Sequence, residues 1–391
     1  MNINEELRNI CYSAVYKKYG AQPSKIIISR LEEELVIIEQ NNLEISFLLS
    51  IKVAQKCKEL DSMMISRGSV GGSLVLYLGG VTEVNPLPPH YYCSNCKSVQ
   101  YVDENKYASG LDLINFHSET RTKCSCCGAE LTGDGNNIPH EFLFGHDISG
   151  GFDICFAIAY EHKKEITSYI ESLRIAVEDL STEVILHFDT GLIKFDFYSS
   201  DIIALIKKLE KSTGIDSKRI KFEEIDIFDF FMEKSYEGIP LIKEDVFRTV
   251  AETFMPFDFS DIVKILGLVN GTRTWYDNAE HLAANVCYPQ KVISSPDDIM
   301  LELIGYGVDR YKAYKIAQIV KNGGCNLSDE LVSVMKEHNV PDWYIESMKK
   351  IKHLLPKAHL TEWTIILLRL VWYKLYYPVE FDMAVLSVQN I

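Results

Sequence analysis

Two Cys-x-x-Cys pairs carry the most specific chemical signal in this sequence: Cys93/Cys96 in "YYCSNCKSVQ" and Cys124/Cys127 in "RTKCSCCGAE". Each pair is followed by a residue that suits a tight turn, Lys97 or Gly128. Two such knuckles place four thiolates at the corners of a tetrahedron, the geometry zinc takes in structural sites. With four protein ligands no position is open to substrate, so the expected Zn²⁺ is structural and not hydrolytic. Cys126 lies close enough to substitute, but Cys124/Cys127 has the spacing and the glycine after it. The competing reading is four unmetallated thiols. Cys11, Cys57, Cys155, Cys287 and Cys325 are scattered singles, expected as plain core residues.

Carboxylates supply the second signal. "FDICFAIAY" reads as a strand with Asp153 and Cys155 on one face, two residues apart, and "KFDF" puts Asp196 in a similar apolar strand. An acid inside an apolar strand is costly unless it is paired, metal-bound or at a solvated strand end. Nucleotidyl-transfer sites use such acids to hold Mg²⁺ against a triphosphate. A third signal is "SRGSVGGSLV", with Arg67, Gly68 and Ser69 ahead of Gly71, Gly72 and Ser73. A glycine turn opening onto a helix can offer backbone N–H groups to a phosphate, or can simply start the helix. "ESMKKIKHLLPKAHLTEW" clusters Lys349, Lys350, Lys352, His353, Lys357 and His359, which is either a solvated helical face or an anion contact.

The elements that must position these residues follow from pattern. Residues 1–60 read as helices, with Ser24 as a helix cap. "MMISRG" is a short strand feeding the glycine turn, and "SVGGSLVLYLGG" a small-residue helix stopped by Pro86, Pro88 and Pro89. The cysteine insert spans 91–133. "FDICFAIAY", "EVILHF" and "LIKFDF" are strands, with a helix near 162–174 between the first two. Beyond 199 the pattern is helical: 199–211, 243–256, 258–268, 274–285, 296–321, 327–338, 341–353 and 359–377. The architecture expected is a small mixed α/β domain, a metal knob inserted in it, and a C-terminal helical domain.

A chain of 391 residues, 47% hydrophobic, can bury a sizeable core in two or three domains. Its net charge of -15 and pI near 5.2 argue against tight independent binding of nucleic acid, although acidity is also ordinary for an intracellular protein. No apolar run reaches the ~18 residues of a membrane span, and "MNINEELRNICYSAVYKKYG" has no signal-peptide core. The cytoplasm is the expected compartment, where cysteines are thiols or metal ligands.

Several blocks, in order, resemble the PolC-type DNA polymerase III alpha subunit, a C-family replicative polymerase. They are "SRGSVGGSLV" with "GGVTEVNPLPPHYYCSNCK", "GAELTGDGNNIPHEFLFG", "FSDIVKILGLVNGTRTWYDNAEHL", "DDIMLELIGYGVD", "VPDWYIESMKKIKHLLPKAH" and "YYPVEF". The resemblance implies an α+β fold: a nucleotidyltransferase (polymerase β-like) palm with an inserted zinc ribbon, then all-α fingers. The implied divisions are 1–90 for the first part of the palm, 91–133 for the ribbon, 134–200 for the remaining palm strands and 201–391 for the fingers. It also implies a nucleotide subsite of Arg67, Gly68, Ser69, Arg273, Lys357 and His359, and Mg²⁺ at Asp153 and Asp196. Trp275 fits the core as well as the nucleotide pocket.

The chain departs from that family in two places. The family's two aspartates on one strand, Asp-x-Asp, become Asp153 and Cys155 here, while Asp196 matches the third. A thiol is a soft ligand where Mg²⁺ wants oxygen, and losing one carboxylate costs roughly 10³-fold in rate. The long thumb-bearing insertion between the aspartate strands is replaced by "AYEHKKEITSYIESLRIAVEDLSTEVILH". The family's preceding nuclease parts and its later duplex- and clamp-binding parts are also outside this chain. The reading is a catalytically degenerate homologue that is associated with replication or nucleic acid. It would bind DNA or dNTP weakly alone, engage a protein partner of the replication machinery and avoid membranes. The alternative is an active minimal polymerase or nucleotidyltransferase using Asp153 and Asp196 with Mg²⁺, a third ligand such as Asp147, Asp189 or Glu161, and a partner chain.

Overall fold

A computed structural model of the chain describes residues 3–103, 106–113, 122–145, 152–173, 175, 177–180, 183–188, 191–198, 202–222, 227–233 and 236–389. It is a mixed α+β structure that divides into two compact units, residues 1–225 with 368–391, and residues 226–367.

The first unit opens with three amphipathic helices, α1 (Ile3–Tyr19), α2 (Lys25–Gln40) and α3 (Glu44–Glu59). As expected, Ser24 caps α2 by accepting the Ile27 N–H. Strand β1 (Met64–Arg67) leads through a 3-10 turn at Val70–Gly72 into the five-residue helix α4 (Leu74–Leu78). The stretch expected as one small-residue helix is therefore broken, and Ser73 restarts it by accepting the Leu76 N–H. A small sheet follows, with β2 (His90–Tyr92) central between β3 (Val99–Tyr101) and β4 (Thr132–Asp134), both antiparallel to it.

After α5 (Glu141–Phe144) come β5 (Phe152–Ala159), α6 (Lys163–Ser172), β6 (Glu178–Asp179), β7 (Glu183–Phe188) and β8 (Gly191–Tyr198). These strands form a five-stranded sheet in the order β1-β5-β8-β7-β6. The β5–β8 pair is parallel, which requires the crossover that α6 supplies. Alternation sets the two faces. Ile154, Phe156, Ile158, Val184, Leu186, Ile193 and Phe195 point into a core shared with α1 to α4 and α6. Phe156 and Phe195 are register partners and stack with centroids 5.5 Å apart. Asp153, Cys155, Asp196 and their neighbours line the other face.

Helix α7 (Ile202–Thr213) closes the first pass through this unit. The second unit is helical: α8 (Ile227–Glu233), α9 (Glu244–Phe254), α10 (Phe259–Asn270), α11 (Glu280–Asn285), α12 (Pro296–Gly305), α13 (Arg310–Gly323), α14 (Asp329–Glu337) and α15 (Asp342–Lys350). The span 296–321, expected as one helix, is split by Gly307, whose φ of 86° no helical residue adopts. Helix α16 (Lys357–Tyr376) carries the chain back, and α17 (Pro378–Gln389) packs on α7. Within the first unit, Arg369 of α16 grips Glu83 with both guanidinium N–H groups, at 2.9 and 2.5 Å, and Tyr373 donates its hydroxyl to the Ile215 carbonyl at 2.7 Å. Burial pushes the Glu83 carboxyl up, but Arg369 outweighs it and holds it below its ordinary value. No described helix is long and apolar enough to cross a membrane.

Candidate functional site

The cysteine knuckles are built alike. Cys93 donates its N–H to the Ser98 carbonyl at 3.0 Å, and Lys97 donates to the Cys93 carbonyl at 2.9 Å. Cys124 donates to Ala129 and Gly128 to Cys124, each at 2.8 Å. Lys97 and Gly128 both take positive φ, 64° and 73°, which is the turn both positions were expected to make. The thiols of Cys93 and Cys127 stand 3.6 Å apart, and those of Cys96 and Cys124 3.5 Å. Sulfurs ~2.3 Å from a tetrahedral ion lie about 3.8 Å from each other, so the quartet fits a metal ion with little adjustment. The Ser98 hydroxyl and then the Cys126 N–H hold the Cys124 thiol down at about 6, while at Cys93 the Cys96 N–H is outweighed by burial and the facing thiols of Cys127 and Cys96, which push that thiol up to about 11, so the quartet shares its protons unevenly. Among the described residues this is the one group of three or more Cys, His or carboxylate side chains whose ligand atoms all lie within 4.8 Å. Exposed Cys126 lies outside it.

The module is anchored to the helices through β4. Lys18 reaches Asp134 at 2.8 Å and lies over the Tyr77 ring at 4.6 Å, and Tyr92 donates to the Lys18 carbonyl. Burial pushes the Asp134 carboxyl up, but Lys18 and His90 outweigh it and hold it at about 2.

The five-stranded sheet presents the carboxylate site. Asp153 and Asp196 lie on neighbouring strands and share a face, but they are not opposite each other. Asp153 pairs in register with Leu192, Cys155 with Lys194, and Ala157 with Asp196. Asp196 therefore sits four residues along the strand direction from Asp153, about 13 Å, and two from Cys155, about 7 Å. Asp153 is exposed, whereas Asp196 is 7% exposed. Two cations hold Asp196: Arg67, on β1 opposite Cys155, and Lys194 at 3.2 Å, itself paired with Glu183. Burial, then the charges of Asp196 and Asp153, push the Cys155 thiol up, so it stands neutral between Arg67 and Lys194. Glu161 lies on the turn after β5, exposed and 3.4 Å from His162. Asp147 and Asp189 lie outside the described residues.

The glycine turn carries an anion already, and it is a side chain. Glu34 of α2, fully buried, accepts the N–H groups of Leu74 at 2.9 Å and Val75 at 3.1 Å and the Ser73 hydroxyl at 2.7 Å. Arg30 neutralises it at 2.6 Å and also donates to the Gly72 carbonyl. The start of α4 is thus occupied from within, which leaves the turn at Gly68 and Ser69. Gly68 has φ 61°, and nothing lies within 4 Å of where a Cβ would stand. Gly71 serves packing, since a Cβ there would meet Val84 at 2.9 Å.

In the second unit Arg273, at φ 60°, is exposed and pairs with Asp277 at 2.9 Å. Trp275 is buried. The Lys357 N–H donates to Asp297 at 2.9 Å, and buried His359 lies against Trp363 with centroids 4.1 Å apart. Asp297 was not foreseen. It is 1% exposed, its second oxygen has no hydrogen-bond partner, and burial pushes its carboxyl up to about 6. "SSPDDIM" reads as an ordinary capped helix start, and Ser295 and Asp298 do form a capping box; only burial separates Asp297 from Asp298.

Two family models match the chain: the bacterial DNA polymerase III alpha NTPase domain over residues 5–173, and the bacterial DNA polymerase III alpha subunit finger domain over 200–354. Among curated proteins, "DNA polymerase III PolC-type" from Staphylococcus epidermidis is 29% identical over 483 residues, covering 99% of this chain and 33% of that protein. Those of Staphylococcus haemolyticus and Staphylococcus aureus are 28% identical with the same coverage. The chain spans about a third of the length of the curated relatives it matches. An alignment of 483 residues against a chain of 391 means that the relatives carry segments between matched blocks that this chain lacks.

Proposed function

We infer that this chain, which belongs to the bacterial DNA polymerase III alpha family, is a PolC-like palm-and-fingers homologue whose catalytic centre has degenerated and which acts in replication by binding. The observation that carries this reading is the capture of Asp196 by Arg67 and Lys194. A carboxylate that holds Mg²⁺ must aim its lone pairs at the ion, in a near-octahedral shell of oxygens ~2.1 Å away. Here two side-chain cations take those lone pairs, a neutral thiol stands at the next register position, and Asp153 is about 13 Å along the sheet. This donor set does not fit Mg²⁺, and no catalytic step is assigned to it. The missing segments between matched blocks fit the loss of a thumb.

On this reading the cysteine quartet holds one structural Zn²⁺. Arg67, Gly68 and Ser69 in the first unit, and separately Arg273, Lys357 and His359 in the second, are remnants of nucleotide-binding residues, and the chain has weak affinity for DNA or dNTP and a protein partner in the replication machinery. The palm comprises 1–90 and 134–200, the ribbon 91–133 and the fingers 201–391, in the cytoplasm. The exposed carboxylate of Asp153 on a strand beside Asp196 favours the second reading, an active minimal polymerase.

Primer extension with Mg²⁺ and with Mn²⁺ separates the two, using the wild type, Cys155→Asp and Asp196→Ala. Degeneracy predicts background extension by all three. Extension by the wild type that vanishes in Asp196→Ala establishes the minimal polymerase instead.

A further inference from the structure

We propose that Ser98 is a positioning residue for the metal: its hydroxyl is a hydrogen-bond donor shared by the two cysteine knuckles, and it holds the exposed Cys96 thiolate on the ion. The inference rests on the reading of the quartet as a Zn²⁺ site. Ser98 meets three of the four ligand residues. Its carbonyl accepts the Cys93 N–H at 3.0 Å and so closes the first knuckle. Its hydroxyl oxygen stands 3.3 Å from the Cys96 sulfur and 3.4 Å from the Cys124 sulfur, and those sulfurs are 3.5 Å from each other. The three atoms make a nearly equilateral triangle, with the oxygen against one sulfur–sulfur edge of the quartet.

Chemistry decides what the hydroxyl does there. Cysteines bind a metal as thiolates, which can only accept hydrogen bonds. The Ser98 O–H is then the donor, and its one hydrogen lies between thiolates of different knuckles. Such a bond draws off part of the sulfur charge. It lowers the mutual repulsion of four anionic sulfurs around one dication and fixes the direction of their lone pairs. Groups behind metal ligands typically change affinity 10–100-fold. The burial pattern shows which ligand needs the help. Cys93 and Cys124 are buried, whereas Cys96 and Cys127 are exposed, so water and competing ligands reach the ion from their side. Cys127 has its own donor in the Asn95 side chain. Ser98 ties the exposed Cys96 to the buried Cys124. A further contact between the knuckles, from the Gln100 amide to the exposed Ser125 hydroxyl at 3.2 Å, serves the fold instead: Ser125 meets Cys126 at 4.0 Å, outside the quartet.

The test uses the full chain loaded with Zn²⁺ and with Co²⁺, in the wild type, Ser98→Ala, Ser98→Thr and Ser125→Ala. Alanine at 98 removes the hydroxyl and leaves the carbonyl contact to Cys93. Competition against a chromophoric chelator is expected to show Zn²⁺ held about tenfold more weakly by Ser98→Ala, with Ser98→Thr and Ser125→Ala within about twofold of the wild type. The cobalt spectrum gives a signature that mere loosening of the insert would not. A thiolate that loses its donor becomes the stronger electron source, so the sulfur-to-cobalt charge-transfer band of Ser98→Ala should move to longer wavelength at unchanged stoichiometry. An unchanged affinity and band in Ser98→Ala, no recovery in Ser98→Thr, or an equal loss in Ser125→Ala overturns the proposal. A wild type that takes up neither metal overturns it together with the zinc reading, which the first three outcomes leave standing.

Discussion

The Glu34 carboxylate accepts the backbone N–H of Leu74 at 2.9 Å, across forty residues of sequence. It also takes the Val75 N–H and the Ser73 hydroxyl, and Arg30 balances its charge. Glu34→Gln keeps one acceptor, turns the other into a donor facing N–H groups, and leaves Arg30 without its counter-charge. Removing one partner of a buried pair costs about 3–5 kcal/mol, and retention of one oxygen brings the expected loss to about 2–4 kcal/mol. Urea unfolding of the first unit reads it directly; a loss below ~0.5 kcal/mol would show that the carboxylate is not what holds α4.

Metal analysis of the purified chain is expected to find one zinc per molecule. Cys96→Ser should lose it and loosen the 91–133 insert, whereas Cys126→Ser should retain it. Zinc lost from Cys126→Ser, or a disulfide within the quartet in freshly prepared protein, contradicts the assignment.

Arg67 and Asp196 should behave as one unit. Arg67→Met and Asp196→Asn are each expected to destabilise by about 1–2 kcal/mol, discounted because the arginine is one-third exposed and Lys194 remains. The double variant should cost clearly less than the sum. Additive losses would mean that the two side chains do not share an interaction.

Cys155→Asp places a third carboxylate beside Asp196. Mn²⁺ affinity, followed by calorimetry, should rise without restored extension, because on the proposed reading the short connection between β5 and β8 carries no thumb to hold the duplex. Restored extension would trace the degeneracy to that one residue.

Asp297 predicts a pH dependence of the second unit. Burial raises its carboxyl from 3.8 to about 6, so the folded state prefers the neutral form. The associated stability is fully present below pH ~3.8 and is lost as pH rises through about 6, on the order of 2–3 kcal/mol. Asp297→Asn should therefore gain on the wild type between pH 4 and pH 7, the window in which nearly all of that loss falls. Parallel stability curves for the two proteins across that range would refute the assignment.

Much of this was legible in the sequence, and the rest fails for identifiable reasons. Strands β5, β7 and β8 follow from alternation, and the gathering of Cys93, Cys96, Cys124 and Cys127 into one cluster follows from spacing alone. Helix α17 was missed because Pro378 reads as a stop after α16, although proline equally suits the first position of a helix. Glu34 had a visible signal: it falls on the same helical face as Ile27, Leu31, Leu35 and Ile38 and shares their burial. The capture of Asp196 had none. Arg67 is 129 residues away, and only the register of β1, β5 and β8 brings it there.

The division of the chain sets an order of events during synthesis. Glu83 and Ile215 are made well before Arg369 and Tyr373, with all of residues 226–367 emerging in between. While the helical unit is being translated, the first unit lacks the guanidinium that balances Glu83 and the helix that covers α7. A nascent chain halted before residue 368 should therefore be cut by protease along α7 and near Glu83, and should become resistant once α16 and α17 have left the ribosome.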